Sequence, residues 1–398
     1  MKENERATRM GRRTLIERGG ALGAAAVAGA ALGAWSPANA AQQPQAGSGQ
    51  GMKVTRLAEL APFKSSSVIG AKPKLPRRIA WANSSNAEFF IELGDSIKAA
   101  ARDRGLSYVT AIANNDSATN IAQVNSFLQV GIGALCIQPI DAAAQAIVMQ
   151  RAIDQGIDVM SLVTPPSTIQ CVANQYDVGY AQGVAAANWI NEHLGGKAKV
   201  VIFNLNTISV LIARDQGVRA GLKTGGPGIR IVENIETPAE TEQSAEQTMA
   251  TILEAHPDVN VILGTAGDTY SMGALAALRS AGTDTSKMYI SGVNGDADAL
   301  AEIEKGGPYK ASFAFAYNLM GYAWGQFAAD WLAGKEVPQV MVFAAISLRS
   351  KETISEFKEA MSLQGVKSSY LQSSKYMTLL GTISYETRNR YITTSPYH

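Results

Sequence analysis

The stretch Ile79–Ala100, IAWANSSNAEFFIELGDSIKAA, decides the fold. IAWAN is apolar enough to be a strand buried on both faces, a short polar stretch carrying Phe89 and Phe90 follows, and the remainder reads as an amphipathic helix, 87–104. The same order recurs. SYVTAIA precedes a helical pattern over 120–131, ALCIQP one over 142–155, and DVMSLV is followed by the short run CVANQ and a helix over 178–194. Such alternation implies parallel strands with helices on both faces, because a parallel pair needs a crossover long enough to hold a helix.

A second set follows with no clear linker. It runs KVVIFN, a helix over 213–223, IRIVENIE, a helix over 241–255, VNVILGT, a helix over 270–280, MYISGV, a helix over 297–305, and KASFAFA. The chain therefore has two similar halves. An aromatic helix over 317–334 belongs with the first half, and the short strands MVFAA and ISLRS return towards the second, so two or three connections cross between lobes. The expected fold is α/β, with two Rossmann-like lobes, parallel sheets with helices on both faces, and a multi-strand hinge. The N-terminal lobe is expected over 77–175 with 316–345, and the C-terminal lobe over 176–315 with 346–365. Residues 41–76 are rich in Gln, Gly, Ser and Pro and read as a flexible tether, while 366–398 read as a polar C-terminal extension with no assigned role.

The N-terminus reads as an export signal over 1–40. Arg12 and Arg13 precede an apolar Ala, Gly and Leu stretch, and cleavage is expected near Ala40. The arginine pair suggests the twin-arginine route, although Gly11 and Glu17 depart from the usual Ser and Lys, so general secretion stays open. Gly19–Trp35 is too short and too rich in Gly and Ala for a membrane anchor. The signal carries six basic and three acidic residues of a chain whose net charge is +1, leaving the exported part near −2. With no basic stripe, nucleic acid is not an expected partner. Cys136 and Cys171 lie in strands with one strand expected between them, a lateral gap of about 9–10 Å that a disulfide does not span, so two free buried thiols are expected.

Five stretches carry a family resemblance together: SSNAEFF, ALCIQPIDAAA, ARDQGVRAGLK, AHPDVNVILGTAGDTYSMGALAALRSAG and ISGVNGDADALAEIEKG. In this order they resemble the type I periplasmic binding proteins, the ribose- and galactose-binding group of solute receptors for ATP-driven importers, over about Arg77–Met361. The resemblance implies a ligand cleft where the strands of both lobes end. It also implies a small-molecule ligand, a carbohydrate or polyol, delivered by a periplasmic monomer to the membrane permease of an ABC importer. A ligand sensor serving a chemoreceptor or sensor kinase is the alternative.

The residues suited to such a cleft follow from their places after strands. Phe89 and Phe90 offer a face on which a sugar ring can stack, one being expected in the cleft and one packed. Asn83, Ser84 and Asn86 either bind hydroxyls or cap the helix, and Asp116 has the same two readings. Asn114, Asn115 and Asp116 lack the Gly and terminal Glu of a calcium loop, so no metal is expected. Arg214, in ARDQGV, matches the family's Arg-x-x-Gly pattern and presents a rigid fork of donors; its alternative is a surface pair with Asp215. Asp268 either binds or caps, and Tyr270 fills space beside it. Asn294 stands where the family usually has Asp, Val163 and Thr164 where sugar receptors commonly have Asp-Arg, and Phe315 where a Gln is frequent. These departures imply a cleft less charged than a ribose site, favouring a sugar alcohol, a deoxy or modified sugar, or another small polar metabolite.

An enzyme would need a constellation that is missing: there is no Gly-x-Ser-x-Gly elbow, no His-Glu-x-x-His and no phosphate loop. None of His193, His256 and His398 is placed as a base, and no cofactor is expected.

Overall fold

The computed structural model describes residues 51–395. The export signal, the start of the tether and His398 lie outside the described residues. From Arg78 the chain alternates strand and helix: β1 (Arg78–Asn83), α1 (Glu88–Asp103), β2 (Ser107–Ile112), α2 (Ser117–Val130), β3 (Ala134–Ile137), α3 (Ala142–Asp154), β4 (Asp158–Leu162), β5 (Ile169–Ala173) and α4 (Gln175–Leu194). The second set is β6 (Ala198–Phe203), α5 (Ser209–Lys223), β7 (Ile229–Ile235), α6 (Glu242–Ala255), β8 (Val261–Gly264), α7 (Asp268–Ser280), β9 (Tyr289–Asn294), α8 (Ala297–Lys305) and β10 (Tyr309–Ala314). Then come α9 (Tyr317–Leu332), β11 (Val340–Phe343), β12 (Ile346–Leu348), α10 (Lys351–Met361), α11 (Gly365–Leu371) and β13 (Met377–Leu380).

Two sheets result, in the orders β13-β11-β5-β4-β3-β1-β2 and β12-β10-β9-β8-β6-β7. Their first five strands repeat one order, the second strand at the edge, then first, third, fourth and fifth. Every pairing is parallel except β13 on β11 and β12 on β10. The α/β two-lobed expectation holds. The central strands are buried on both faces, and Ala134–Ile137 has no exposed residue, as continuous apolar runs in parallel sheets require. α9 packs on α1, with Trp324 against Trp81 at 6.0 Å between ring centroids, so it belongs to the first sheet's layer.

The chain passes between the lobes three times, at Ala173–Gln175, Ala314–Tyr317 and Phe343–Ile346. Cys136 and Cys171 are buried and free, with β4 between their strands.

Two segments differ from expectation. Residues 51–76, expected as part of a tether, are anchored from Met52 onward: Met52 bridges Ile392, and Val54 and Leu60 are buried with Val172, Val340 and Ile392. The C-terminal extension supplies β13, which pairs with β11 from Val340 to Phe343, and the Ala344 amide donates to the Tyr376 carbonyl at 3.0 Å. Burial of Met377, Ile383 and Ile392 holds this strap on the first lobe. Both ends of the described chain meet there, for the Val54 amide donates to Thr394 Oγ1 at 3.0 Å.

Candidate functional site

The carboxyl ends of the strands in both sheets face a cavity of 590 Å³. Ser84 and Gln138 come from the loops after β1 and β3, and Leu205 and Ala266 from those after β6 and β8. The hinge adds Gln175, Phe315 and Tyr317. Because β1 lies between β2 and β3, successive crossovers leave in opposite directions and open a crevice at their ends.

Arg214 is placed by helix packing. A Cβ on Gly179 of α4 would lie 1.9 Å from the Arg214 carbonyl oxygen, and one on Gly217 of α5 would lie 2.1 Å from that of Tyr176. Only glycine allows backbones this close. The approach sets the first turn of α4 against α5, where Gln175 Oε1 accepts from Arg214 Nε at 2.9 Å and Nη2 at 2.6 Å. Nη1 donates to the Thr265 carbonyl at 2.7 Å. The guanidinium carbon lies 6.0 Å from the Phe315 ring centroid, within cation–π reach. Burial pulls the Arg214 pKa down to about 10, still charged at neutral pH. The alternative surface pair does not form, because Asp215 bonds to Arg219 at 2.9 Å.

Aromatic rings make much of the wall. Phe89 is half-buried, 3.9 Å from Phe90 and 4.8 Å from Tyr317 between centroids, while Phe90 is buried against Trp81. Both border the cavity, with Phe315, Tyr270 and Phe343. Leu205, Ile208 and Leu211 add an apolar stretch on the second lobe. Three bordering residues adopt backbone angles that L side chains rarely take: Asn115 at φ 62°, Val163 at φ 61° and Asn294 at φ 116°. Val163 and Asn294 are two of the positions where the sequence departs from the family pattern.

Of the residues singled out in the sequence, Ser84, Phe89, Phe90, Arg214, Tyr270, Asn294 and Phe315 line the cavity, and Asn83, Asn86, Asp116, Thr164 and Asp268 do not. Asn83 Oδ1 accepts from the Ser85 amide, turning the loop. Asn86 is exposed. Asp116 caps α2 by accepting from the Thr119 amide at 2.6 Å. The Thr164 carbonyl accepts from Ser161 Oγ at 2.6 Å. Asp268 is fully buried and accepts from Tyr309 Oη (2.6 Å), Ser312 Oγ (2.7 Å) and the amides of Gly295 and Asp296 (2.8 and 3.0 Å). It ties the turn after β9 to α7. Burial pushes it up to about 6 despite those donors.

Gln175, Tyr317 and Gln138 line the cavity without having been singled out in the sequence, and Asn115 does so from the polar cluster Asn114–Asp116 in which only Asp116 was a candidate. Gln175 carried no local signal, since its role is to hold a side chain 39 residues away. Tyr317 read as helix core. A smaller cavity of 350 Å³ adjoins, sharing Phe89, Asn294, Phe315 and Tyr317 and bordered by Glu88, Glu92, Asp95 and Asp296. Burial, then the charge of Asp268, pushes Asp296 up to about 8.

Comparison with known proteins agrees with this architecture. A family model described as a periplasmic binding protein domain matches residues 79–336. The ribose import binding protein of Bacillus subtilis is 28% identical over 276 residues, covering 67% of this chain and 85% of its own. Among solved structures, the myo-inositol binding protein of Caulobacter, with myo-inositol bound, is 24% identical with a TM-score of 0.59, covering 73% of this chain and 98% of its own. The fructose-binding periplasmic domain of a hybrid two-component system is 24% identical with a TM-score of 0.61, covering 78% and 98%.

Proposed function

Because this chain belongs to the type I periplasmic binding protein family, whose members bind solutes without transforming them, we propose that it is the exported solute-binding subunit of an ABC importer. It captures a sugar, sugar alcohol or related hydroxylated molecule between its lobes and presents it to a membrane permease. The observation that carries this reading is the cavity at the strand ends, where a buried arginine faces a cluster of aromatic rings. Aromatic faces suit the C–H faces of a hydroxylated ring, and a rigid fork of donors suits its polar edge.

Within this reading the ligand works by closure. A guest touching Arg214 on one lobe and Phe89 on the other stabilises the closed population by its preference for that state. The export route runs through the signal read over 1–40. A thermal-shift screen over pentoses, hexoses, polyols and nucleosides tests the reading, since a ligand present at 100 times its Kd adds about 2.7 kcal/mol of stability. Arg214→Ala is expected to abolish the shift produced by the best ligand without changing the far-ultraviolet circular dichroism. A full shift in that variant removes Arg214 from the site.

A further inference from the structure

Arg214 is a buried cation that no described residue pairs with an opposite charge. It is 5% exposed, and its three hydrogen bonds go to neutral acceptors, the Gln175 amide oxygen and the Thr265 carbonyl. Among the described residues it makes no ion pair, and its neighbour Asp215 is taken by Arg219. A guanidinium carries five N–H donors. With Nε bonded, and one bond from each terminal nitrogen, one N–H on Nη1 and one on Nη2 are left without an acceptor.

Among the described residues, no carboxylate on the cavity wall pairs with this charge. Val163 and Asn294 hold two of the strand-end positions there. Asp268 is saturated by two hydroxyls and two amides. Glu240 borders the cavity but is exposed and forms no ion pair among the described residues; burial and Glu236 push its pKa up, with no part played by Arg214. Four helices also begin at this cavity, contributing Ala87, Gln175, Ile208 and Thr269 to its lining, and helix N-termini carry partial positive charge. An uncompensated buried charge is costly, and a guest of opposite sign removes that cost.

Resting on the cleft-binding reading above, we infer that the guest supplies the missing negative charge: a hydroxylated ring or short chain bearing one carboxylate, the chemistry of a uronate or aldonate. The carboxylate takes the two free N–H groups of Arg214, one oxygen to each, as a planar carboxylate meets a guanidinium. The C–H face lies on the aromatic wall, and Asn294, Gln138 and Ser84 serve the hydroxyls. A phosphate dianion would meet a single cation with two free donors, half the charge it needs.

Isothermal titration of the full chain against matched compounds tests this: glucose with glucuronate, gluconate and glucose 6-phosphate, and galactose with galacturonate. At least one carboxylate is expected to bind tenfold or more tightly than its neutral partner. Arg214→Gln is expected to erase that advantage, and should that variant fail to fold, the comparison in the unaltered chain still decides. Equal or tighter binding of the neutral or phosphorylated partner overturns the inference and leaves the cleft-binding reading standing. Absence of binding by every compound, joined to a flat thermal-shift screen, sinks both.

Discussion

The adjacent phenylalanines at the start of α1 divide two tasks. Phe90 is 8% exposed and packs on Trp81, whereas Phe89 is half-buried and meets Tyr317 across the hinge side of the cavity. Phe89→Ala is therefore expected to weaken ligand binding about tenfold with little loss of stability. Phe90→Ala should lower stability by about 3 kcal/mol, read from denaturant melts. Reversal of that pattern would place the stacking face on Phe90. Asp158 presents a different residue-level effect, since it is fully buried, accepts from Thr168 Oγ1 at 2.6 Å, and has no partner for Oδ2. Burial pushes its pKa up to about 7 from an ordinary 3.8. The folded state thus keeps its proton longer than the unfolded one, so this contribution is whole below about pH 4 and is lost as pH rises to about 7. Asp158→Asn removes the ionisation and is expected to raise stability at pH 8 by up to about 4 kcal/mol, with little change at pH 4. A melting gain independent of pH would contradict that account.

Between elements, the glycines at the seam of α4 and α5 govern the site although neither Gly179 nor Gly217 lines the cavity. Gly217→Ala would drive a methyl into the Tyr176 carbonyl, forcing the helices apart. Overpacking of this kind costs about 1–3 kcal/mol. Because Gln175 holds Arg214 only through that approach, ligand affinity should fall as well, measured by titration at a temperature where the variant remains folded. Most elements were legible because buried parallel strands are apolar runs and amphipathic helices keep their period. The start of α5 was less so: a helix was expected from Ala213, whereas it begins at Ser209, since VLI is an apolar run that either structure tolerates. β13 escaped notice because MTLL is short and its partner, β11, becomes visible only in the folded chain. At the site, residues at strand ends were readable from position, but Asp268 and Asp116 show why carboxylates there are ambiguous. Both accept backbone amides, as a cap does, and only the turn of the loop decides where the oxygens point.

For the molecule as a whole, three crossings and two opposed strand edges suit the closure proposed above. Small-angle X-ray scattering is expected to report a smaller radius of gyration when the best ligand is added, and an unchanged radius at saturation would exclude closure as the mechanism. The β13 strap bears on that motion, because its ladder ends at Ala344, inside the third crossing. A further consequence comes from the pairing of Met52 with Ile392. A fluorophore placed at Met52 rides with that half of the molecule, so a second dye on α6 would see only the swing of the opposite half. The protein thus carries a built-in reference frame for a distance-based biosensor of whichever solute it traps.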